Sequence, residues 1–267
     1  MRSLWRHGVR VLSLVILSAL ALQLYFLARV ALMGVVEPQS TTFQRSEMRR
    51  LVGEQHQLLW SQRWVGEERI SDHLKRAVIA SEDASFVDHS GVEWDALEKA
   101  WEKNQRAEAQ AEKLNERQAR QAARSNRPAP AASKPSKPSK PPKAPKIVGG
   151  STITQQLAKN LFLTGERNLA RKGQEFVITF MLEALLPKRR ILEIYLNNVE
   201  WGEGLFGAEA AARHYFHVGA DQLSGFAAAR LAVMLPAPKR FEKRPNTPYV
   251  LGRASSVAAR MGAVELP

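Results

Sequence analysis

The chain has 267 residues, 45% hydrophobic and 24% charged, which fits one globular domain with appendages. It contains no cysteine, and this excludes disulfides, thiolate nucleophiles and cysteine-ligated zinc. The net charge of +13 points at first to a polyanion such as nucleic acid, but residues 103–146 alone hold 12 Lys/Arg against 3 Glu. With Arg2, Arg6 and Arg10 also set aside the remainder is close to neutral, so nucleic acid is not an expected partner.

Those three arginines precede an uncharged run from Val11 to Ala28, and apolar residues continue past Arg29 to Val36. At about 1.5 Å per residue, a helix of that length crosses a hydrocarbon core of about 30 Å. Arg29 can snorkel to the headgroups at the far end. Basic residues ahead of the span place the N-terminus in the cytoplasm. The expectation is a tail at 1–10, an anchor at 11–32 and an exported remainder. A cleaved signal peptide competes, because Ala19-Leu20-Ala21 resembles a cleavage site, although the apolar run is long for one. A buried helix of a soluble protein is the third reading.

Residues 33–70 read as a juxtamembrane connection of mixed polar and aromatic character. Trp60 and Trp64 are four apart and on a helix would share one face, most simply as packing aromatics. Ser71-Asp72 can cap a helix carrying Leu74, Ala77, Val78 and Ala80 at helical spacing, with Gly91 as its stop. A second helix follows from Val92 to about Lys103, with Trp94, Leu97 and Trp101 on one face. Residues 104–146 then form a basic, low-complexity insertion. Its first half, rich in Ala, Gln, Arg and Glu, can be transiently helical. The Pro/Lys/Ser/Ala tract from Arg127 has almost nothing to bury and should be extended. It reads as a solvated linker, or as a segment drawn to anionic lipid or wall polymers.

Order returns at Ile147. Thr152 and Gln155 make a capping box that opens a helix through about Leu163. Asn168 to Leu186 has long helical periodicity, Pro187 breaks it, and Lys188 to Asn198 forms the next helix. Helical stretches also cover Leu205–Phe216 and Gln222–Leu235, and strand signals are scarce. The fold class is mainly α.

Five clusters carry the chemistry. In Ser81-Glu82-Asp83-Ala84-Ser85-Phe86-Val87-Asp88-His89-Ser90-Gly91, a continuing helix would put Glu82, Phe86 and His89 on one face, and partial burial would raise the carboxyl pKa toward proton transfer. The bland alternative is a solvated helix end. In Gly149-Gly150-Ser151-Thr152-Ile153-Thr154-Gln155-Gln156-Leu157-Ala158-Lys159-Asn160, glycines and hydroxyls at a helix N-terminus offer N–H groups to an anion, with Lys159 and Asn160 two turns on. Simple capping is the alternative. Arg171-Lys172-Gly173-Gln174-Glu175 places Arg171 and Glu175 at ion-pair spacing. Lys188 to Asn197 is amphipathic, with Leu192, Tyr195 and Leu196 as core, and Ala211 to Phe216 reads as packing.

Taken in order, these clusters resemble the five signatures of the family 51 peptidoglycan glycosyltransferases, over about Asp72 to Ala237. The resemblance implies a lysozyme-like, two-lobed helical domain at 71–267, interrupted by 104–146. With nothing like a transpeptidase domain following, it points to the monofunctional biosynthetic members rather than the class A penicillin-binding proteins. It implies a bacterial inner-membrane, periplasm-facing enzyme that polymerises lipid II into glycan strands. Glu82 would be the base toward the acceptor GlcNAc 4-hydroxyl. Lys159, Arg171 and Lys172 would face the departing pyrophosphate, and Ser151, Thr152 and Asn160 could add hydrogen bonds. Asp83, Phe86, His89, Gln155 and Gln156 complete the expected substrate site. Glu175 matches the second essential glutamate, either positioning Arg171 and Lys172 or assisting the leaving group. Lipid II, the growing strand, the bilayer and other cell-wall synthesis or division proteins are the partners this implies. No cofactor is required; a divalent cation could share the pyrophosphate charge, but no acidic metal cluster stands in the sequence. A wall-cleaving lysozyme-like enzyme or lytic transglycosylase is the nearest rival, and a non-catalytic scaffold is another.

Overall fold

The computed structural model describes residues 2–38, 40–56, 59–125, 150–163 and 168–267. It divides into two units, 1–92 with 152–267, and 93–151. Most of the described chain is helical, as its patterning predicts.

The first unit begins with α1 (Arg2–Leu32), followed by α2 (Thr42–Gln55), strand β1 (Ser61–Gln62) and α3 (Asp72–Glu82). From Trp5 to Leu32, α1 is long and apolar enough to cross a membrane. Its side chains from Val11 to Leu22 are largely exposed, whereas Phe26, Val30 and Met33 are buried in the core. The lower half of the helix is therefore part of the folded body, and only the upper half needs another apolar solvent.

Residues 42–55, which the sequence places in a connection, form a packed helix. Thr41 and Gln44 cap α2 reciprocally, the Thr42 hydroxyl donates to Leu161 O, and Gln44 Nε2 donates to Asn198 O. Leu51, on the inner face of this helix, is fully buried. Trp60 and Trp64 do not share a helix, because Ser61 and Gln62 between them pair with Leu205 and Phe206 as a strand. They do pack: Trp60 lies 4.8 Å from the Phe206 ring, and the Arg190 guanidinium stands over Trp64.

In the second unit, α4 spans Trp94–Ser125. It runs 22 residues beyond the predicted end at Lys103. Ala, Gln, Glu and Arg are strong helix formers, and Glu102–Arg106 and Glu116–Arg120 ion pairs support it at i, i+4. The extended tract expected from Arg127 to Lys146 lies outside the described residues.

The first unit resumes with α5 (Ile153–Phe162), α6 (Leu169–Leu185) and α7 (Lys188–Asn198), close to their predicted bounds. Strands β2 (Glu200–Gly202) and β3 (Leu205–Phe206) follow, then α8 (Ala208–Phe216), α9 (Gly225–Met234), α10 (Pro238–Glu242) and α11 (Pro248–Ala258). The small sheet has the order β1-β3-β2, with β1 parallel and β2 antiparallel to β3. The predicted helix from Leu205 therefore starts three residues late. Gly207 makes the turn at φ +83, and a Cβ there would lie 2.7 Å from Asn197 O. The alanines of α8 and α9 are almost all buried and allow close packing around Leu74, Val78, Leu192 and Tyr195.

Candidate active site

Helix α3 carries its apolar residues Leu74, Ala77, Val78, Ile79 and Ala80 into the core, and the Ser71 hydroxyl accepts from His73 N to begin it. It stops at Glu82, not at Gly91. Asp83 is the C-cap residue, with extended φ −162, and residues 84–90 form turns. The predicted helical face joining Glu82, Phe86 and His89 therefore does not form. The cause is the buried Asp83 carboxylate, which accepts from His89 Nε2 through Oδ1 at 2.8 Å and from Ile153 N through Oδ2 at 2.9 Å. Tethered to the His89 side chain and to a backbone amide 70 residues downstream, it pulls the chain out of helical register.

His89 is held on both sides. Its Nδ1 accepts from the Gly91 amide at 3.0 Å, which leaves Nε2–H to donate to Asp83. Phe86 is fully buried, with Lys188 Nζ 4.5 Å from its centroid. The same ammonium donates to His89 O and to Glu183 Oε1 at 2.6 and 2.9 Å. Gly91 has φ +86, and a Cβ there would strike Thr179 and Glu183 side chains. Asp83, Phe86 and His89 thus form an internal brace behind Glu82. Lys188, which opens the fourth sequence cluster, and Glu183, which no sequence motif marks, belong to that brace.

The N-terminus of α5 is closed by the same brace. Thr152 and Gln155 form the predicted capping box, worth about 1 kcal/mol for the Thr cap. The Thr152 hydroxyl also donates to Gly91 O at 2.6 Å. The Ile153 amide is bound to Asp83, so the anion at this helix end is a side chain of the protein itself. Ser151 belongs to the other unit.

Glu82 is half-buried, and its Oε2 accepts from Gln156 Nε2 at 3.0 Å. The Gln156 carbonyl accepts from Tyr195 OH, also at 3.0 Å. Burial pushes the Glu82 pKa up, the Gln156 amide partly restrains it, and the neighbouring Asp83 charge adds to the rise. Tyr195 is buried as core, as predicted, but its hydroxyl fixes the orientation of the amide that holds Glu82. A Tyr rather than Phe at a buried position was the available signal, since a buried hydroxyl needs a partner.

Lys159 and Asn160 lie one turn beyond Gln156 on α5, about 5 Å along the axis. Lys159 has no carboxylate partner among the described residues, although its side chain reaches solvent. Crowding by protein lowers its pKa most, Glu175 opposes that, and the charges of Arg171 and Lys172 lower it further. On α6, Glu175 is buried and pairs with both neighbours: Arg171 NH1 donates to Oε2 at 2.8 Å and Lys172 Nζ donates to Oε1. Among the described residues, Arg171 Nε is buried without a partner. The spacing-based ion pair is therefore present, and it belongs to a group of three cations around one carboxylate.

The site contains a carboxylate at the end of α3 held by Gln156 of α5 and, one turn further along α5, Lys159, which with Arg171 and Lys172 of α6 makes a group of three cations. A family model described as Transglycosylase matches residues 50–113 and 142–262. The chain belongs to the transglycosylase family. It is an enzyme of glycosyl transfer. Among curated relatives, a biosynthetic peptidoglycan transglycosylase of Burkholderia thailandensis is 48% identical over 248 residues, covering 93% of this chain and 83% of that protein. Proteins with the same name from Paraburkholderia xenovorans and Bordetella pertussis are each 44% identical. The first match covers 96% of this chain and 91% of the relative, the second 97% and 95%. The transglycosylase match omits 114–141, inside the basic insertion.

Proposed function

We propose that this enzyme is a peptidoglycan glycosyltransferase that polymerises lipid II, transferring a strand from an undecaprenyl-pyrophosphate donor to the GlcNAc 4-hydroxyl of an incoming lipid II with inversion. The observation that carries this reading is the arrangement along α5, where Gln156 holds Glu82 and Lys159 joins Arg171 and Lys172 one turn away. Glu82 takes the proton of the attacking hydroxyl. Its raised pKa makes it a stronger base, and the Gln156 hydrogen bond leaves Oε1 for the substrate. The oxygen attacks C1 of the donor sugar, the bond from C1 to the pyrophosphate oxygen breaks, and the lipid pyrophosphate leaves from the opposite face.

The leaving group develops negative charge and needs cations rather than a strong acid. Lys159, Arg171 and Lys172 supply them, with Asn160 adding a hydrogen bond. The Arg171 Nε–H, which finds no acceptor among the described residues, is a donor that a phosphate oxygen can take up. Glu175 positions the two α6 cations rather than transferring a proton, since both of its oxygens are occupied by them. Asp83, His89, Thr152 and Gln155 act indirectly, by fixing the position of Glu82 and α5.

The anchor fits this chemistry. Gln23 of α1 and Gln174 of α6 exchange hydrogen bonds at 2.8 and 3.0 Å, which sets the cation group against the lower half of α1. Leu169, Val177 and Phe180 of α6 are exposed. With α1 in the bilayer, as a single pass from the cytoplasm, the site stands at headgroup height, where both lipid-linked substrates are concentrated. Purified full-length protein incubated with lipid II tests the proposal. Glycan polymer is the expected product, and cleavage of finished peptidoglycan with no polymer formed would overturn it.

A further inference from the structure

At the foot of α1, away from the catalytic groups, a cavity of about 450 Å³ is lined by Arg29, Met33, Val36, Glu37, Ser40 and Arg45, among others. Neither arginine is paired with a carboxylate among the described residues. Arg29 NH1 donates to Tyr25 OH at 3.0 Å. Arg45 donates to Ser40 O, Ser40 Oγ and Thr42 Oγ1 at 3.0 to 3.1 Å. These contacts orient both forks and leave N–H groups unspent, because a guanidinium has five. Glu37 is exposed and makes no ion pair among the described residues. Leu32, Val35 and Val36 beside the cavity are exposed apolar side chains.

A bare anion does not fit this lining well. Glu37 repels it, and the C-terminal end of the α1 dipole points the same negative way. Arg190 occupies the free carbonyls of Met33 and Val36 but adds no charge pair here, since its own guanidinium is bound to Glu193. Two guanidiniums and one carboxylate, none in an ion pair among the described residues, match a ligand bearing a phosphate and an ammonium group together. A phosphodiester takes the arginine forks, the ammonium takes Glu37, and attached acyl chains lie along Leu32, Val35 and Val36.

We propose that this cavity binds the headgroup of an amine-bearing phospholipid of the ethanolamine type, with Arg29 and Arg45 holding the phosphate and Glu37 the ammonium. The site rests on the reading of α1 as a membrane anchor, and it fixes the height of the enzyme relative to the headgroups.

The test uses the full chain in nanodiscs or vesicles of phosphatidylethanolamine, phosphatidylglycerol and phosphatidylcholine in equal parts. Bound lipid is read by native mass spectrometry after release into detergent, with inorganic phosphate as competitor. Wild type should retain phosphatidylethanolamine over the other two, and inorganic phosphate should not displace it. Glu37→Gln should lose about tenfold in its preference for the amine headgroup while keeping phospholipid, the scale of one charge-assisted hydrogen bond. Arg29→Gln with Arg45→Gln should lose retention of all three. Equal retention by wild type, retention unchanged in the variants, or retention of phosphatidylglycerol insensitive to Glu37 would each overturn the proposal. Flotation with phosphatidylcholine vesicles separates the two claims. A wild type that does not float loses the anchor and this site together, whereas one that floats without lipid preference loses the site alone.

Discussion

Gln156 donates to Glu82 at 3.0 Å across 74 residues of sequence, and it can do so because Tyr195 holds the other end of its amide. This bond is the direct link between the carboxylate at the end of α3 and the helix that carries Lys159. It favours the ionised form of Glu82 against the burial that opposes it.

Replacing Gln156 with Leu should therefore raise the Glu82 pKa further. The rate of a base-catalysed transfer falls as its base is protonated, so the acidic limb of kcat/KM against pH should move to higher pH. Tyr195 would also lose its buried acceptor, which costs about 1–3 kcal/mol of stability. Thermal unfolding and a pH–rate profile measure the two effects separately.

The opposite limb reports Lys159. Glu175 raises the Lys159 pKa, while crowding by protein and the adjacent cations lower it. In Glu175→Gln the restraint is gone, so Lys159 should lose its proton at lower pH than in wild type. The alkaline limb should shift downward, and KM for lipid II should rise with the loss of ordered cations. An unchanged alkaline limb would remove Lys159 from the pyrophosphate site.

Glu200 gives a prediction about stability alone. It is buried on β2, 3.5 Å from Lys239, too far for a good hydrogen bond. Burial pushes its pKa up from 4.5 to about 7, with Lys239 lowering it and Glu47 raising it. The folded state thus holds a proton that the unfolded chain releases near 4.5. Stability should fall as pH rises through the window between 4.5 and about 7, by up to about 3 kcal/mol for a shift of this size. Glu200→Gln should flatten that slope, as urea titrations at pH 5 and pH 8 would reveal.

Much of this site is written locally. The Thr152–Gln155 capping box and the Arg171–Glu175 pair connect residues three or four apart, and spacing alone predicts both. The end of α3 is different. It is set by Asp83, whose partner Ile153 lies 70 residues downstream, and no local pattern encodes that contact. Helix α2 is hard to read for a related reason: its sequence is polar, and the contacts that hold it, such as Thr42 to Leu161, Gln44 to Asn198 and Phe43 against Phe206, are all distant in sequence. The extension of α4 is the converse case: its composition suits a transient helix, and the structure carries that helix through to Ser125.

Residues 114–141 lie outside the family match, so their removal should be tolerated. A chain with 114–141 replaced by a short Gly/Ser linker should keep lipid II turnover within about tenfold of wild type. Loss of turnover in a folded deletion variant would assign this stretch to the catalytic cycle.

The central claim is that Glu82 is the base, and the most direct measurement is lipid II polymerisation by Glu82→Gln beside wild type, with lipid II binding measured on both. General-base catalysis is worth about 10²–10⁴-fold. The variant should bind lipid II as wild type does and lose at least about 10²-fold in rate. A folded Glu82→Gln enzyme that polymerises within a few-fold of wild type would contradict the account.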